Sequence, residues 1–336
     1  MKAKLITGAP GGKRQRLAES LPLDTPYLVQ FFPIYACNFV CKYCHNAIPK
    51  KERKFVTDEI VMPYSLFEKC IRELAAFPQK IRTIRFVGMG EPLLHKDIVR
   101  MVRETKASGA ANTVELLTNG SLLDREKADG LIEAGLDRLV ISLQGISARQ
   151  YQEISQVDLD FEKFVDNIRY FYEHKKNTVM YLKIVDIAIP TEEEKQRYFD
   201  IFGDIADTIG IETAVPIFED VPYNKELSQR DEYRTQFGLP MHRVRVCPQP
   251  FYSMQINPDG KVVGCHAIYY PRILDDCTEK SLIDVWNGEG FNQFRREMLQ
   301  GRENVCQTCI DCGINDFRMS PEDDISDCAE RLMGEY

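Results

Sequence analysis

From Tyr27 to about Pro216 the chain alternates segments of β pattern with segments of helical pattern, and this alternation restricts the fold more than any other feature. Residues 27–34 (YLVQFFPI), 81–88 (IRTIRFVG), 112–120 (NTVELLTNG), 137–145 (DRLVISLQG), 178–190 (TVMYLKIVDIAIP) and 211–218 (IETAVPIF) read as strands. Residues 63–77, 95–109, 124–135, a stretch ending near His174, and 191–210 read as helices. Pro63 opens the first helix, Gly109 closes the second, and Asp124 and Thr191 are cap residues. Strands separated by helices pair in parallel through right-handed crossovers. Six repeats fall short of the eight that close a barrel, so the expected fold is α/β, a partial (β/α)6 TIM-like barrel. In such folds the chemistry gathers at the carboxyl ends of the strands.

Around that core the chain divides into an N-terminal extension (1–26), the core itself (27–218), a polar linker (219–245) and a small C-terminal domain (246–336). The last part changes character. FYSMQI and KVVGC flank the turn NPDG as a β-hairpin, and 281–301 is helical with a break near Gly288 and Gly290. Two phosphate-site patterns fail. GAPGGK (8–13) is one residue short of a phosphate loop and is followed by Arg14 in place of a hydroxyl residue, and GMGEPL lacks the third glycine of a dinucleotide fingerprint.

The net charge of −8 and the pI of about 5.4 argue against nucleic acid, because an acidic chain gains little from counterion release. No run of about 18 apolar residues suggests a membrane helix. No apolar segment follows the basic N-terminus as in a secretory signal, so the expectation is a cytoplasmic protein. There, eleven cysteines are expected as metal ligands or reactive thiols. Cys70 lies on an apolar helical face and reads as core.

Three thiols, Cys37, Cys41 and Cys44, crowd the loop after the first strand as CxxxCxxC. A structural zinc site and a cubane cluster each take four ligands, so three on one loop leave a corner open. The alternative is a zinc site completed by a distant ligand such as His45.

CxxxCxxC in this place, with the aromatic Tyr43 before the last Cys, resembles the radical S-adenosylmethionine (SAM) superfamily. The resemblance implies a [4Fe–4S] cluster on Cys37, Cys41 and Cys44 whose open iron chelates SAM. It implies reductive cleavage to methionine and a 5′-deoxyadenosyl radical, which abstracts hydrogen from an unactivated C–H bond. GMGEP (88–92) stands where the family carries its motif for the SAM amino group, with Met89 in place of the middle glycine. By this likeness Tyr43, Gly88, Gly90, Glu91, Asn119 of LLTNG, and Ser142 and Gln144 of ISLQG are cofactor-binding residues; Gln144 replaces a commonly acidic residue.

Cys247, twelve residues, Gly260, four residues and Cys265 resemble the opening of a SPASM domain, and Cys306 with Cys309 completes its shortened twitch form. The resemblance implies one auxiliary [4Fe–4S] cluster on Cys247, Cys265, Cys306 and Cys309. Cys312 and Cys328 are either idle or replace one of the four; a set of Cys306, Cys309, Cys312 and Cys328 is a further possibility. Cys277 is idle or a hydrogen-atom donor.

The expected function is dehydrogenation or epimerisation at an oxygen-bearing carbon of a sugar, nucleotide sugar or aminocyclitol, the auxiliary cluster taking the surplus electron. Lys183 and Glu212 are candidate catalytic residues. A small-molecule substrate and a flavodoxin or ferredoxin donor are the expected partners. Only 26 residues precede the first strand, which disfavours a leader-recognition domain. Alternatives are a peptide or protein maturase and a non-catalytic iron–sulfur or zinc protein. A molybdenum-cofactor cyclase would have three auxiliary cysteines and a C-terminal Gly-Gly, whereas this chain ends GEY.

Overall fold

Runs rich in β-branched and aromatic residues form strands here because their side chains find burial against helices. In the computed structural model of the chain, residues 2–7, 14–52, 57, 59–217, 220–229, 234–266 and 269–336 are described. The glycine-rich stretch at 8–13 lies outside them. Ten strands form one sheet: β1 (Lys4–Leu5), β2 (Leu28–Phe31), β3 (Ile81–Phe86), β4 (Ala111–Thr118), β5 (Arg138–Leu143), β6 (Val179–Val185), β7 (Thr208–Glu212), β8 (Ser253–Ile256), β9 (Lys261–Val263) and β10 (Asp275–Asp276). Their order is β1-β7-β6-β5-β4-β3-β2-β8-β9-β10. Strands β2 to β7 run parallel in sequence order as the expected six-stranded partial barrel.

The crossovers carry α1 (Tyr64–Leu74), α2 (Ile98–Ser108), α3 (Arg125–Glu133), α4 (Ala148–Ser155), α5 (Phe161–His174) and α6 (Glu192–Phe202). Local chemistry sets their ends. Asp124 accepts from the Lys127 amide, Thr191 and Glu194 form a reciprocal capping box, and Gly109 ends α2 in the left-handed region.

Two boundaries at the last crossover are among those that differ from the sequence reading. The helix expected over 191–210 stops at Phe202, and the strand expected over 211–218 runs from Thr208 to Glu212. Pairing decides this. Thr208 and Ile209 bond to β6 on one side and β1 on the other, and the Asp207 carboxylate accepts the Met180 amide at 2.7 Å. Beyond Glu212 the backbone leaves the sheet, and the Thr213 amide donates to Gln236 O at 2.8 Å.

The C-terminal hairpin does not hang free of the barrel. Strand β8 pairs parallel with β2, residue for residue from Leu28↔Ser253 to Phe31↔Ile256, and β9 pairs antiparallel with β8. Phe251 and Tyr252, expected to begin the hairpin strand, instead end a short helix, Gln249–Tyr252, whose early Pro250 suits a helical first turn. The barrel core packs around Phe31, fully buried, with Phe86 stacked at 5.7 Å and Phe67 edge-on at 5.3 Å. Phe31→Ala is expected to lower unfolding stability by about 3–5 kcal/mol. Leu5→Ala, at a side chain 48% exposed, is expected to change it by about 0.5 kcal/mol or less. Denaturant titration followed by circular dichroism checks both.

Candidate active site

The loop after β2 carries Cys37, Cys41 and Cys44, and its backbone is pinned rather than loose. Val40 N donates to Ser155 O and Lys42 N to Ile154 O, each at 2.9 Å, which ties the loop to the end of α4. Phe39 is buried, 5.9 Å from the ring of Tyr151. All three cysteines line one cavity of about 800 Å³. Burial pushes the Cys37 thiol up to about 11, and it pushes Cys41 up further; their neighbouring thiols act in the same direction. These groups therefore stand as thiols until a cation stabilises the thiolates, and loading releases protons. The donor set, three soft sulfurs of cysteines that line one cavity, fits an iron–sulfur cluster. His45, the alternative fourth ligand, is buried with Nδ1 3.4 Å from Cys44 Sγ. Among the described residues no three His, Cys, Asp or Glu side chains are gathered to hold a single metal ion.

GMGEP follows β3 and packs against that loop. Glu91 is buried, and burial raises its pKa. Three donors answer the buried carboxylate: Leu93 N at 2.9 Å and Thr118 Oγ1 at 2.5 Å on Oε1, and Asn119 N at 2.7 Å on Oε2. Its own amide donates to Ala36 O at 2.8 Å. At Gly90 a Cβ would sit 2.3 Å from the carbonyl oxygens of both Ile34 and Ala36, so the loop approach already demands glycine. Gly88 has φ +151° and faces the Phe32 ring. Both glycines line the cavity, but their first duty is to let this backbone meet the cysteine loop.

The remaining strand-end residues gather on the same cavity. Asn119 Nδ2 donates to Asn38 Oδ1 at 2.9 Å and lies 4.0 Å from Cys37 Sγ. Gln144 accepts from the Tyr43 hydroxyl and donates to Ser142 O at 3.0 Å. Ser142 is paired with Lys183 in the sheet register. Lys183 Nζ donates to Glu212 Oε2 at 2.8 Å, so the two catalytic candidates form one pair.

Gln236, Arg318, Arg85, Glu115 and His266 line the cavity and escaped the sequence reading. Gln236, inside the stretch read as a linker, donates to Glu212 Oε2 at 2.7 Å and accepts from Arg318 Nε at 2.5 Å. Arg85 on β3 pairs with buried Glu115, which also takes Arg138 at 3.0 Å. Nδ1 of His266 lies 2.9 Å from Gln30 Oε1, and burial, helped by Arg318, Arg85 and Lys183, pushes its pKa down to about 3. His266 is thus a neutral imidazole. Adjacency to Cys265 was the hint available for His266; Gln236 and Arg318 lie in unpatterned segments that gave none.

The late cysteines fall in three places. Burial pushes Cys265 well up, and the thiols of Cys247, Cys312, Cys309 and Cys306 push it the same way. Cys312 thus lies within electrostatic reach of Cys265, as do Cys247, Cys306 and Cys309, the other expected ligands. Cys328 stands apart beside Tyr336, its thiol donating to Ile325 O at 3.2 Å. Cys277 lies against Cys70 with sulfurs 3.6 Å apart, both fully buried.

A partial parallel barrel with three thiols at the end of its first strand and further thiols in the segment beyond its edge is the architecture of an iron–sulfur protein. The chain belongs to the radical SAM superfamily, whose profile matches residues 31–197, and an iron–sulfur cluster-binding SPASM domain matches 247–313. It is 33% identical over 291 residues to a probable GTP 3′,8-cyclase of Saccharolobus solfataricus, covering 79% of this chain and 88% of that one. It is 23% identical over 338 residues to the PqqA peptide cyclase of Rhodopseudomonas palustris, covering 91% and 83%. The solved structure of native anSMEcpe with bound AdoMet shares the fold at a TM-score of 0.60 with 14% identity, covering 93% of this chain and 96% of that one. The protein is accordingly a radical SAM enzyme with a SAM-binding [4Fe–4S] cluster and an auxiliary iron–sulfur cluster. No helix among the described residues is long and apolar enough to cross a membrane.

Gly90→Ala is expected to displace the cysteine loop and lower reconstituted iron from about eight per chain toward about four, while the auxiliary cluster persists. Iron and sulfide analysis with electron paramagnetic resonance (EPR) of the reduced protein checks this.

Proposed function

We propose that this enzyme oxidises or epimerises a small polar molecule at a carbon bearing oxygen, in a sugar, nucleotide sugar or aminocyclitol. When bound, SAM and its cluster supply the 5′-deoxyadenosyl radical that removes the substrate hydrogen. One observation carries the reading: a single cavity reaches from the cysteine loop to Gln249, His266 and Ile314. Each of these lies one or two positions from an auxiliary cysteine, Cys247, Cys265 or Cys312. A substrate there has a radical source on one wall and an electron acceptor behind the other. Cys37, Cys41 and Cys44 hold the first cluster, and Cys247, Cys265, Cys306, Cys309 and Cys312 supply the second.

Oxidation of an alcohol to a ketone also removes a hydroxyl proton. Lys183 and Gln236 both reach Glu212 Oε2, which leaves Oε1 to accept that proton. Tyr43, Asn119, Ser142 and Gln144 line the half of the cavity at the strand ends and seat the nucleotide, with Glu91 and the GMGEP backbone beside them. The name of the cyclase relative supports a small polar substrate. That of the PqqA peptide cyclase supports a second reading, a peptide maturase. A flavodoxin or ferredoxin in the cytoplasm completes the proposal as electron donor.

Anaerobic reconstitution, reduction and mass spectrometry with deuterated candidate sugars and peptides test it. Deuterium in 5′-deoxyadenosine from a sugar supports the first reading; transfer only from a peptide replaces it with the second. Cys41→Ala is expected to abolish 5′-deoxyadenosine formation, and formation at the wild-type rate refutes the assignment of the first loop. Glu212→Gln is expected to slow product formation about 10²-fold, as measured by single-turnover product analysis.

A further inference from the structure

Arg318 follows the short helix Gly313–Phe317 and lines the cavity. Its Nε is committed to Gln236 Oε1, but its two Nη groups have no hydrogen-bond or ion-pair partner among the described residues. Neighbouring carboxylates are already taken. Glu212 receives Lys183 and Gln236, and Glu115 is shared by Arg85 and Arg138. The chain as a whole carries −8, yet the cavity lining holds six arginine and lysine side chains against four carboxylates. A desolvated cation with free donors is unfavourable unless an anion meets it.

The arginine fork matches one kind of group. Two parallel N–H donors fit two oxygens of a phosphate or carboxylate, a match that a lysine cannot reproduce. We propose that the substrate of this enzyme carries an oxyanion, a phosphate or a carboxylate, which Arg318 binds through its Nη groups. This rests on the cavity being the substrate site. Gln236 bridges Arg318 to Glu212, so it fixes the guanidinium relative to the proton acceptor and sets where the oxyanion sits with respect to the reacting carbon. Arg318 is a specificity residue, and Gln236 is its positioning residue.

Anaerobic calorimetry on the holoenzyme, with both clusters loaded and SAM prebound, tests the proposal. Inorganic phosphate and malonate serve as separate probes and distinguish the two oxyanion sources. At least one is expected to bind the wild type, about tenfold more weakly to Arg318→Met, with partial recovery in Arg318→Lys. If Arg318→Met does not load its clusters, Gln236→Ala carries the test, with an expected loss of about threefold in affinity. No binding to the wild type, or equal binding to the variant tested, overturns the proposal. Binding seen only without SAM also overturns it, because Arg318 would then serve the cofactor carboxylate. The titration needs no turnover. Wild type that binds an oxyanion but forms no 5′-deoxyadenosine defeats the radical reading alone, and the converse result defeats only the oxyanion assignment.

Discussion

The site depends on one buried carboxylate. Glu91 joins three strand-end segments: its amide holds Ala36 of the cysteine loop, and its carboxylate takes donors from its own turn and from Thr118 and Asn119 after β4. Burying that charge would be unfavourable without these bonds, so the hydrogen bonds and the burial require each other. Gly90 makes the junction possible by leaving room for two carbonyl oxygens. The position of the three thiols is therefore set from the neighbouring strands, not by the loop alone.

The same sheet delivers the second half of the site. Strand β8 pairs with β2, whose following loop carries the first thiols, so the auxiliary segment is joined to the barrel through backbone hydrogen bonds. Cavity residues contributed by that segment are consequently fixed relative to the cofactor end. Electron transfer and hydrogen abstraction both depend on distance, and continuous backbone pairing is a rigid way to hold it.

Much of this was legible in the residues. Helix caps at Asp124 and Thr191, the αL glycine at 109 and six parallel strands follow from local rules that tertiary contacts did not override. CxxxCxxC and the Cys247–Cys265 hairpin pointed to the radical SAM and SPASM domains because ligand spacing is a strong constraint. Less was readable where partners are remote. The two-residue β1 is too short to show a period, and it helps place β7 at Thr208–Glu212, over the end of the helix expected to run to 210. Gln236 and Arg318 lie in segments without pattern, and only their meeting in the cavity gives them meaning. Cys312 looked surplus by spacing, yet its thiol acts on both Cys247 and Cys265.

The account turns on an iron at the first loop that no side chain claims. The most direct measurement is electron–nuclear double resonance on the reduced, reconstituted enzyme with SAM labelled by ¹⁵N at its amino group and ¹⁷O at its carboxylate. Hyperfine coupling from both labels to the cluster of Cys37, Cys41 and Cys44 is the predicted result. A cluster without either coupling, and with a protein nitrogen such as that of His45 on its fourth iron, would contradict it.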